Sequence, residues 1–386
     1  MAGKIFWIAA FLSVLAGCAG APVEPTAAQL PWHDEAFAYD ADRVGVNLED
    51  LFRLDPELVK TLRDPAVQQL STARRFEKLV ALIYGRGMKA FPYAPGHSTM
   101  AAETWRQRRG DCLSLALLAY SMARELGLVA QLQEVRVPVL FERRDKVDFL
   151  NQHVNVLFRR SGPMDRTESR LQSSDMIVDF EPEVGSNREG QALSDSAILA
   201  RYFNNIAAEY LAQEQRPLAY AYFKAAIQTQ PNYAPSYGNL AQLYLRSGWQ
   251  AEAEQLLRKA VDLSDDATVH LISLHQLLLE QGRTPEAARY AQLLQVRRDR
   301  DPYYWIGAGL RSLRDGEFRQ AIASLERAQR LTNGFEEVHR YLAVAYWRAG
   351  ESSRANEQLE MLASLNPGSD DVNALRSKFR GTVNTH

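Results

Sequence analysis

Glycine recurs at a fixed interval in the second half of the chain, and this periodicity constrains the fold more than any other feature of the sequence. Gly248, Gly282, Gly316 and Gly350 follow one another at intervals of thirty-four residues. A period of this length is the signature of stacked supersecondary units, each of which buries its apolar face only against its neighbours. We therefore predict that residues 194–380 form an all-α solenoid of about five helix pairs.

Two further positions repeat in register with these glycines. One is always small, and it comprises Ala219, Ala253, Ala287, Ala321 and Ala355. The other is bulky in most units, and it comprises Phe203, Tyr237, Leu271, Trp305 and His339. Small residues let two antiparallel helices approach, large residues fill the space between them, and glycine permits the turn.

The combined pattern resembles the tetratricopeptide repeat (TPR) family. This resemblance implies a concave surface that binds a protein or peptide partner. Most aromatic residues of the repeats fall at core positions, whereas Tyr303 and Trp347 are the preferred candidates for contact with a partner.

The first eighteen residues predict export and lipid attachment. A short basic start is followed by the apolar run Ile5 to Leu15, which is too short to span a bilayer and is typical of an export signal. The sequence Leu-Ala-Gly before Cys18 resembles the lipobox of bacterial lipoproteins, which implies that residues 1–17 are removed and that Cys18 is acylated and anchors the protein to a membrane. Ala19 resembles the pattern of lipoproteins sent to the outer membrane, so we predict a location there, facing the periplasm. The alternative is a plain signal peptide followed by an unrelated cysteine.

Between the anchor and the repeats, the composition changes twice. Residues 18–43 are rich in alanine, proline and acidic residues without a sustained apolar period, and we predict a flexible tether. Residues 44–193 carry helical patterns first: one helix from Asp64-Pro65 to Gly85, one at about 99–107, and one from Cys112 to Gly127. Strand patterns follow in "VAQLQEVRVPVLF", "HVNVLFRR" and "MIVDFEP", which indicates an α+β domain.

Cys112 stands at the start of the third predicted helix. A thiol in the first turn of a helix lies near unpaired backbone N–H groups and the positive end of the helix dipole, and both favour the thiolate. Arg108 and Arg109 add to this effect, whereas Asp111 opposes it and is predicted to cap the helix. A cysteine nucleophile needs a base and a group that orients the base, and His153 and Asp179 follow in a workable order.

The stretches "TWRQRRGDCLSLALLAYSMARELGL", "HVNV" and "VDFEP" resemble the transglutaminase-like core, a branch of the papain-like cysteine enzymes, over residues 65–185. The resemblance implies that Cys112 is the nucleophile, His153 the base and Asp179 the orienting carboxylate. The backbone N–H of Cys112 is a candidate oxyanion donor, and a second donor is expected from Trp105 or Gln107. Two departures from the family pattern are Leu113-Ser114-Leu115 after the cysteine and Asp-Phe-Glu-Pro at the strand end.

Charge and motif content exclude other classes of function. The 45 basic and 47 acidic residues leave a formal charge of -2, which gives no electrostatic reason to expect nucleic acid. His97, Asp111, Cys112 and His153 are the nearest candidate metal ligands, but no Cys-x-x-Cys or His-Glu-x-x-His spacing occurs. We therefore expect no metal and no cofactor.

We predict an α+β transglutaminase-like (papain-like) domain followed by a TPR solenoid. Two hypotheses follow for the function of such a protein. In the first, the protein is an envelope lipoprotein whose thiol site acts on an amide or peptide bond, as a protease, amidase or transferase, while the repeats recruit the substrate. In the second, the papain-like domain only binds, and the protein is a non-catalytic scaffold or assembly lipoprotein. An open cleft that joins Cys112 to His153 favours the enzyme, whereas a sealed thiol favours the scaffold.

Overall fold

The computed structural model describes residues 30–85, 91–94, 96–135, 142–144, 147–149, 153–159, 175–180, 190–264, 267–332, 335–365 and 370–381. The chain divides into two units, residues 1–32 and residues 33–386. Of the first unit only residues 30–32 are described, so the predicted signal peptide and Cys18 lie outside the described residues. Within the described ranges, no helix has the length and apolar character that crossing a bilayer requires.

The second unit begins with a 3-10 helix at Ala41–Arg43 and continues with six α-helices. These are α1 (Leu48–Phe52), α2 (Pro56–Leu62), α3 (Pro65–Gln68), α4 (Thr72–Tyr84), α5 (Ala101–Gln107) and α6 (Cys112–Glu125). The single helix predicted from Pro65 to Tyr84 is therefore two helices. The chain leaves the helix after Gln68, and Ser71 caps a new one by accepting a hydrogen bond from the N–H of Arg74.

Helix α6 forms the centre of the α+β region. It is apolar on nearly all sides, as expected for a helix that is covered by neighbours all round. It packs against α4, α5 and two strands of the sheet. The predicted stop at Gly127 is confirmed, because this glycine takes a left-handed φ of +65° directly after the helix.

The strands are β1 (Val129–Val135), β2 (Glu142–Arg144), β3 (Val147–Phe149), β4 (His153–Arg159), β5 (Met176–Val178) and β6 (Gln191–Ala192). Four of them form an antiparallel sheet in the order β5-β4-β1-β6, while β2 pairs with β3 separately. Each of the three stretches predicted to contain a strand does so. In the register of the sheet, Val135 of β1 lies opposite His153, and Val156 of β4 lies opposite Val178.

The described part of the chain from Asp195 onward is helical. It comprises α7 (Asp195–Ala212), α8 (Arg216–Thr229), α9 (Ala234–Arg246), α10 (Gln250–Leu263), α11 (Thr268–Glu280), α12 (Thr284–Arg300), α13 (Pro302–Arg314), α14 (Phe318–Leu331), α15 (Glu336–Arg348), α16 (Ser352–Leu365) and α17 (Asp370–Gly381). Helices α7 to α16 form the five predicted antiparallel pairs. The four periodic glycines all take a left-handed φ, between +71° and +84°, in the turn inside a pair. The five periodic alanines are buried where the paired helices meet.

The segment 33–43 differs from the sequence prediction, which placed it in the flexible tether. It lies against the first two repeats, where Phe37 is buried. The composition of this segment is that of a tether, but its aromatic residues contact aromatic side chains that lie nearly two hundred residues further along the chain. Such long-range contacts leave no periodic signal in the sequence.

Gly309 of α13 provides a stability test of the packing between paired helices. Alanine in place of a helix-interior glycine ordinarily stabilises a helix by about 1 kcal/mol. Here an added Cβ would lie 2.5 Å from Cγ of the buried Leu325 in α14. We expect Gly309→Ala to destabilise the protein by about 1–3 kcal/mol. Urea unfolding measures this, with Arg311→Ala on the exposed side of the same helix as the control, and a stabilised Gly309→Ala variant would contradict the packing.

Candidate functional site

Three elements bring Cys112, His153 and Asp179 together. Cys112 is the first residue of α6, His153 is the first residue of β4, and Asp179 directly follows β5, which pairs with β4. Nε2 of His153 lies 2.8 Å from Oδ1 of Asp179. The His153 side chain and the backbone N–H of Val154 interact with the Cys112 thiol, and both favour the thiolate. Since Nε2 faces the carboxylate, Nδ1 is the ring nitrogen that remains for the thiol.

The thiol is buried, with 5% of Cys112 and 2% of His153 exposed. Burial raises the pKa of Cys112, since the thiolate loses its hydration, and the charge of Asp111 raises it further. The hydrogen bond and charge of His153 and the N–H of Val154 lower the pKa, but they do not offset the effect of burial. The helix start favours the thiolate, but burial has the larger effect on the pKa of Cys112 in the resting state.

Asp111 holds the helix start in place, and its predicted role as a cap is confirmed. Its Oδ1 accepts hydrogen bonds from the backbone N–H of Ser114, at 2.8 Å, and from the Ser114 hydroxyl, at 2.6 Å. Its Oδ2 accepts a hydrogen bond from the hydroxyl of Ser98. The hydroxyl of Ser114 also accepts from the N–H of Thr99 at 2.8 Å. This buried network ties the loop before α5 to the residue that precedes the thiol.

The electrostatic role of Asp111 can be tested separately from its structural role. Asparagine keeps an oxygen that can accept the cap hydrogen bond, but it removes the negative charge. We expect Asp111→Asn to lower the pKa of Cys112, so that more thiolate is present at any given pH. Alkylation by iodoacetamide, measured from pH 6 to pH 10, is then expected to be faster at neutral pH in the variant than in the unchanged chain. An unchanged or slower rate would contradict the predicted fall in the pKa of Cys112.

Tyr84 is a site residue that the sequence analysis missed. Its hydroxyl donates a hydrogen bond of 2.8 Å to the backbone carbonyl of Asp179, and its ring stacks on Phe180 with 5.8 Å between centroids. Burial and the charge of Asp179 raise the pKa of Tyr84 to about 12, so the hydroxyl keeps the proton that it donates. The two residues are 95 positions apart, and no local pattern indicates that they meet.

The first repeat packs directly on the thiol region. The N–H of Ser98 donates to Oε1 of Glu209 at 2.6 Å, and the Asn205 amide donates to the Ser98 hydroxyl at 3.1 Å. Both α7 residues thus contact the network that holds Asp111. These contacts place α7 at the edge of the thiol site.

A second contact joins the sheet to the repeats. Arg201 of α7 forms an ion pair with Glu134 of β1, and its guanidinium lies 4.5 Å from the ring centroid of Tyr233. Tyr233 precedes α9 and is buried. Burial raises the pKa of Tyr233, and electrostatic interactions that include Cys112 also contribute. Tyr233 therefore takes part in the contact between the sheet and the repeats.

The described contacts of the two predicted oxyanion donors are with residues other than Cys112. Gln107 is exposed, and its amide contacts Nε2 of His97 at 2.7 Å and Oε1 of Glu103 at 2.6 Å. The ring of Trp105 lies under the Arg108 guanidinium at 4.6 Å. Among the described contacts, neither side chain reaches Cys112. The backbone N–H of Cys112, in the first turn of α6, remains the candidate donor.

The two predicted partner-binding aromatics contact other parts of the chain. Trp347 stacks on Phe379 of α17, with 4.9 Å between ring centroids and 11° between planes. One face of its ring is therefore covered by the last helix, which argues against a role in partner binding. Tyr303 is half-buried beside Phe335, at 6.0 Å between centroids, and its role in binding stays a prediction.

A cavity of about 910 Å³ lies at the other end of α6 from the thiol. Its lining includes Phe52, Arg63, Tyr120 and Arg124, but not Cys112. In the described part of the chain, no group of three or more histidine, cysteine, aspartate or glutamate side chains is placed to hold a metal ion.

Comparisons with known proteins concern the helical half of the chain. Two sequence models of the tetratricopeptide repeat family match residues 222–255 and residues 312–379. Comparison with curated protein sequences gives no match.

Matches to solved structures also extend over only part of the chain. They include the hetero-tetramer Cut9-Hcn1 of the APC/C (17% identity, 48% of this chain and 36% of that one, TM-score 0.27). They also include YrrB, described as a TPR protein with an unusual peptide-binding site (16% identity, 46% of this chain and 92% of that one, TM-score 0.25). A third is PilF of Pseudomonas aeruginosa (18% identity, 49% of this chain and 86% of that one, TM-score 0.26). At these TM-scores the matches carry no functional inference. The family matches and the five helix pairs agree that the helical half of the chain is a solenoid of tetratricopeptide repeats.

Proposed function

We propose that this protein is a thiol enzyme that acts on an amide or peptide bond, and that its transglutaminase-like domain carries the reaction on Cys112, His153 and Asp179. The observation that carries the proposal is the position of His153, which interacts with the Cys112 thiol and is hydrogen bonded to the Asp179 carboxylate. A base held between a nucleophile and an orienting carboxylate is the arrangement that acyl transfer requires.

The proposed reaction starts from a neutral thiol, since burial raises the pKa of Cys112. As Sγ forms a bond to the substrate carbonyl carbon, its proton passes to His153, and the N–H of Cys112 donates to the developing oxyanion. The protonated imidazole, held by Asp179, then gives this proton to the leaving amine as the C–N bond breaks. The resulting thioester is released by water in a hydrolase or by an amine in a transferase.

The repeats are proposed to recruit a protein or peptide substrate to this centre. Tetratricopeptide repeats commonly bind such partners on extended surfaces. The contacts of Glu209 and Asn205 with the loop at Ser98 support a role close to the thiol, because they place the first repeat beside it. We further propose that a lipid on Cys18 attaches the protein to the outer membrane, where it faces the periplasm.

A second candidate function is supported by the burial of the thiol. A buried cysteine, 5% exposed, is also what a non-catalytic scaffold would contain, in which the papain-like domain only binds and the repeats assemble partners. The two proposals differ in whether Cys112 can form an acyl bond.

Acylation by p-nitrophenyl acetate distinguishes the two candidates. The enzyme is expected to release one equivalent of nitrophenol rapidly and to acquire one hydroxylamine-labile acetyl group on Cys112, which mass spectrometry of the intact chain detects. Cys112→Ala is the control. If turnover then accelerates with added primary amine, the enzyme is a transferase, whereas indifference to amine indicates a hydrolase. Acetylation at the same rate in both chains would support the scaffold.

A further inference from the structure

The segment His33 to Tyr39 lies on the first two repeats in the manner of a bound peptide. The ring of His33 stacks on Trp249, with 4.0 Å between centroids and 14° between planes. The ring of Phe37 stacks on Tyr220 at 4.5 Å and meets the edge of Trp249 at 5.2 Å. Phe37 is 5% exposed, so the pocket encloses the whole side chain.

Charge complementarity accompanies the aromatic contacts. Lys224 of α8 is 6% exposed, and its Nζ donates to both carboxylate oxygens of Asp34, at 2.7 and 2.8 Å. The Tyr220 hydroxyl donates to Oδ1 of the same carboxylate at 2.7 Å and accepts from the N–H of His33 at 3.0 Å. A buried ammonium is stable only with an anionic partner, so the pocket selects an acidic residue at this place.

The segment is folded to present these side chains together. The N–H of Phe37 donates to the carbonyl of His33 at 3.2 Å, and the N–H of Tyr39 donates to the carbonyl of Asp34 at 2.9 Å. Ala38 takes a left-handed φ of +46°, which is unfavourable for alanine. Contacts with the pocket have to offset this local cost, which indicates that binding, and not local preference, fixes the shape.

We propose that Tyr220, Lys224, Tyr244 and Trp249 form a peptide-recognition pocket for an acidic and aromatic segment, and that residues 33–39 occupy it as a removable intramolecular ligand. The occupant belongs to the same chain, and its effective concentration is therefore of millimolar order. A protein partner with a segment of the same chemistry binds here only by displacing residues 33–39. The pocket is independent of the thiol centre, since its contacts lie on α8, α9 and the turn that leads into α10.

Binding of a labelled peptide in trans tests the proposal. The probe is the fluorescein-labelled sequence PWHDEAFAYDA, residues 31–41, and fluorescence anisotropy measures its affinity for the full chain. We expect the variant Asp34→Ala/Phe37→Ala, whose own segment no longer fills the pocket, to bind the peptide roughly 100-fold more tightly than the unchanged chain. Adding Lys224→Ala to this variant is expected to abolish binding.

The peptide offers a matched pair of controls. Its Asp34→Ala form is expected to bind weakly, whereas its Glu35→Ala form is expected to bind like the parent, because Asp34 is the acid whose carboxylate accepts from Lys224. A double variant that melts cooperatively and yet binds no peptide overturns the proposal, and so does equal weakening by both alanine peptides.

Hydrogen exchange in the unchanged chain gives a second test that does not depend on the folding of a variant. A removable segment opens locally, so the amides of Phe37 and Tyr39 are expected to exchange much faster than the core amides of α8 and α9. Exchange of these two amides only at the rate of global unfolding would mean that the segment is a fixed part of the repeat core, and would overturn the proposal.

Discussion

Replacing His153 by alanine is expected to slow the acylation of Cys112 by roughly 10²–10⁴-fold, the usual contribution of a positioned general base. The effect is large because the resting thiol keeps its proton. Burial raises the pKa of Cys112, and the hydrogen bond of His153 opposes that rise. Without the imidazole, the thiol loses both its proton acceptor and an interaction that favours the thiolate.

The measurement is the burst rate with p-nitrophenyl acetate, compared among three variants. Asp179→Asn keeps the shape of the residue but removes the carboxylate that orients the imidazole, and we expect it to lose about 10²-fold or more. His97→Ala is the matched control, since His97 lies in the loop before α5 and its ring contacts Gln107. Equal rates for His153→Ala and His97→Ala would mean that the hydrogen bonds of His153 have only a structural role.

Most of the fold that could be predicted from the sequence was predicted from periodic patterns and from local helix-start signals. The thirty-four-residue spacing of glycine specified the five helix pairs, because each repeat needs the same turn and the same small contact. The Asp-Pro pair at residues 64 and 65 correctly marked a helix start, but the continuous apolar face beyond it hid the break before Ser71. When two successive helices face the same core, their apolar positions can keep one period across the short break between them.

The sequence indicated which three residues form the candidate site, but it did not indicate the pKa of the thiol. The order of Cys112, His153 and Asp179 matched a family pattern, and the structure brings these three side chains together. The helix start indicated a lowered pKa for Cys112, whereas burial raises it. Burial depends on tertiary packing, and contacts such as that of Tyr84 with Asp179 join distant parts of the chain.

Replacing Asp111 by alanine is expected to produce the largest loss of stability among the helix caps. The carboxylate is 3% exposed and accepts hydrogen bonds from the Ser98 hydroxyl and from two groups of Ser114. Alanine leaves these buried donors without their acceptor, and each such group costs about 1–3 kcal/mol. We therefore expect the free energy of unfolding, measured with urea, to fall by at least about 3 kcal/mol.

Asp55 supplies a control with the same chemistry in a more exposed place. Its carboxylate caps α2 by accepting a hydrogen bond of 3.0 Å from the N–H of Glu57, and Asp55→Ala is expected to cost about 1 kcal/mol, the usual value for a lost cap. The difference between the two variants measures the combined cost of burial and of the additional hydrogen bonds that Asp111 accepts. If Asp111→Ala cost no more than Asp55→Ala, water would reach the helix start of Cys112 in the folded protein. The thiol would then be more accessible than its 5% exposure indicates, and its raised pKa would lose its main cause.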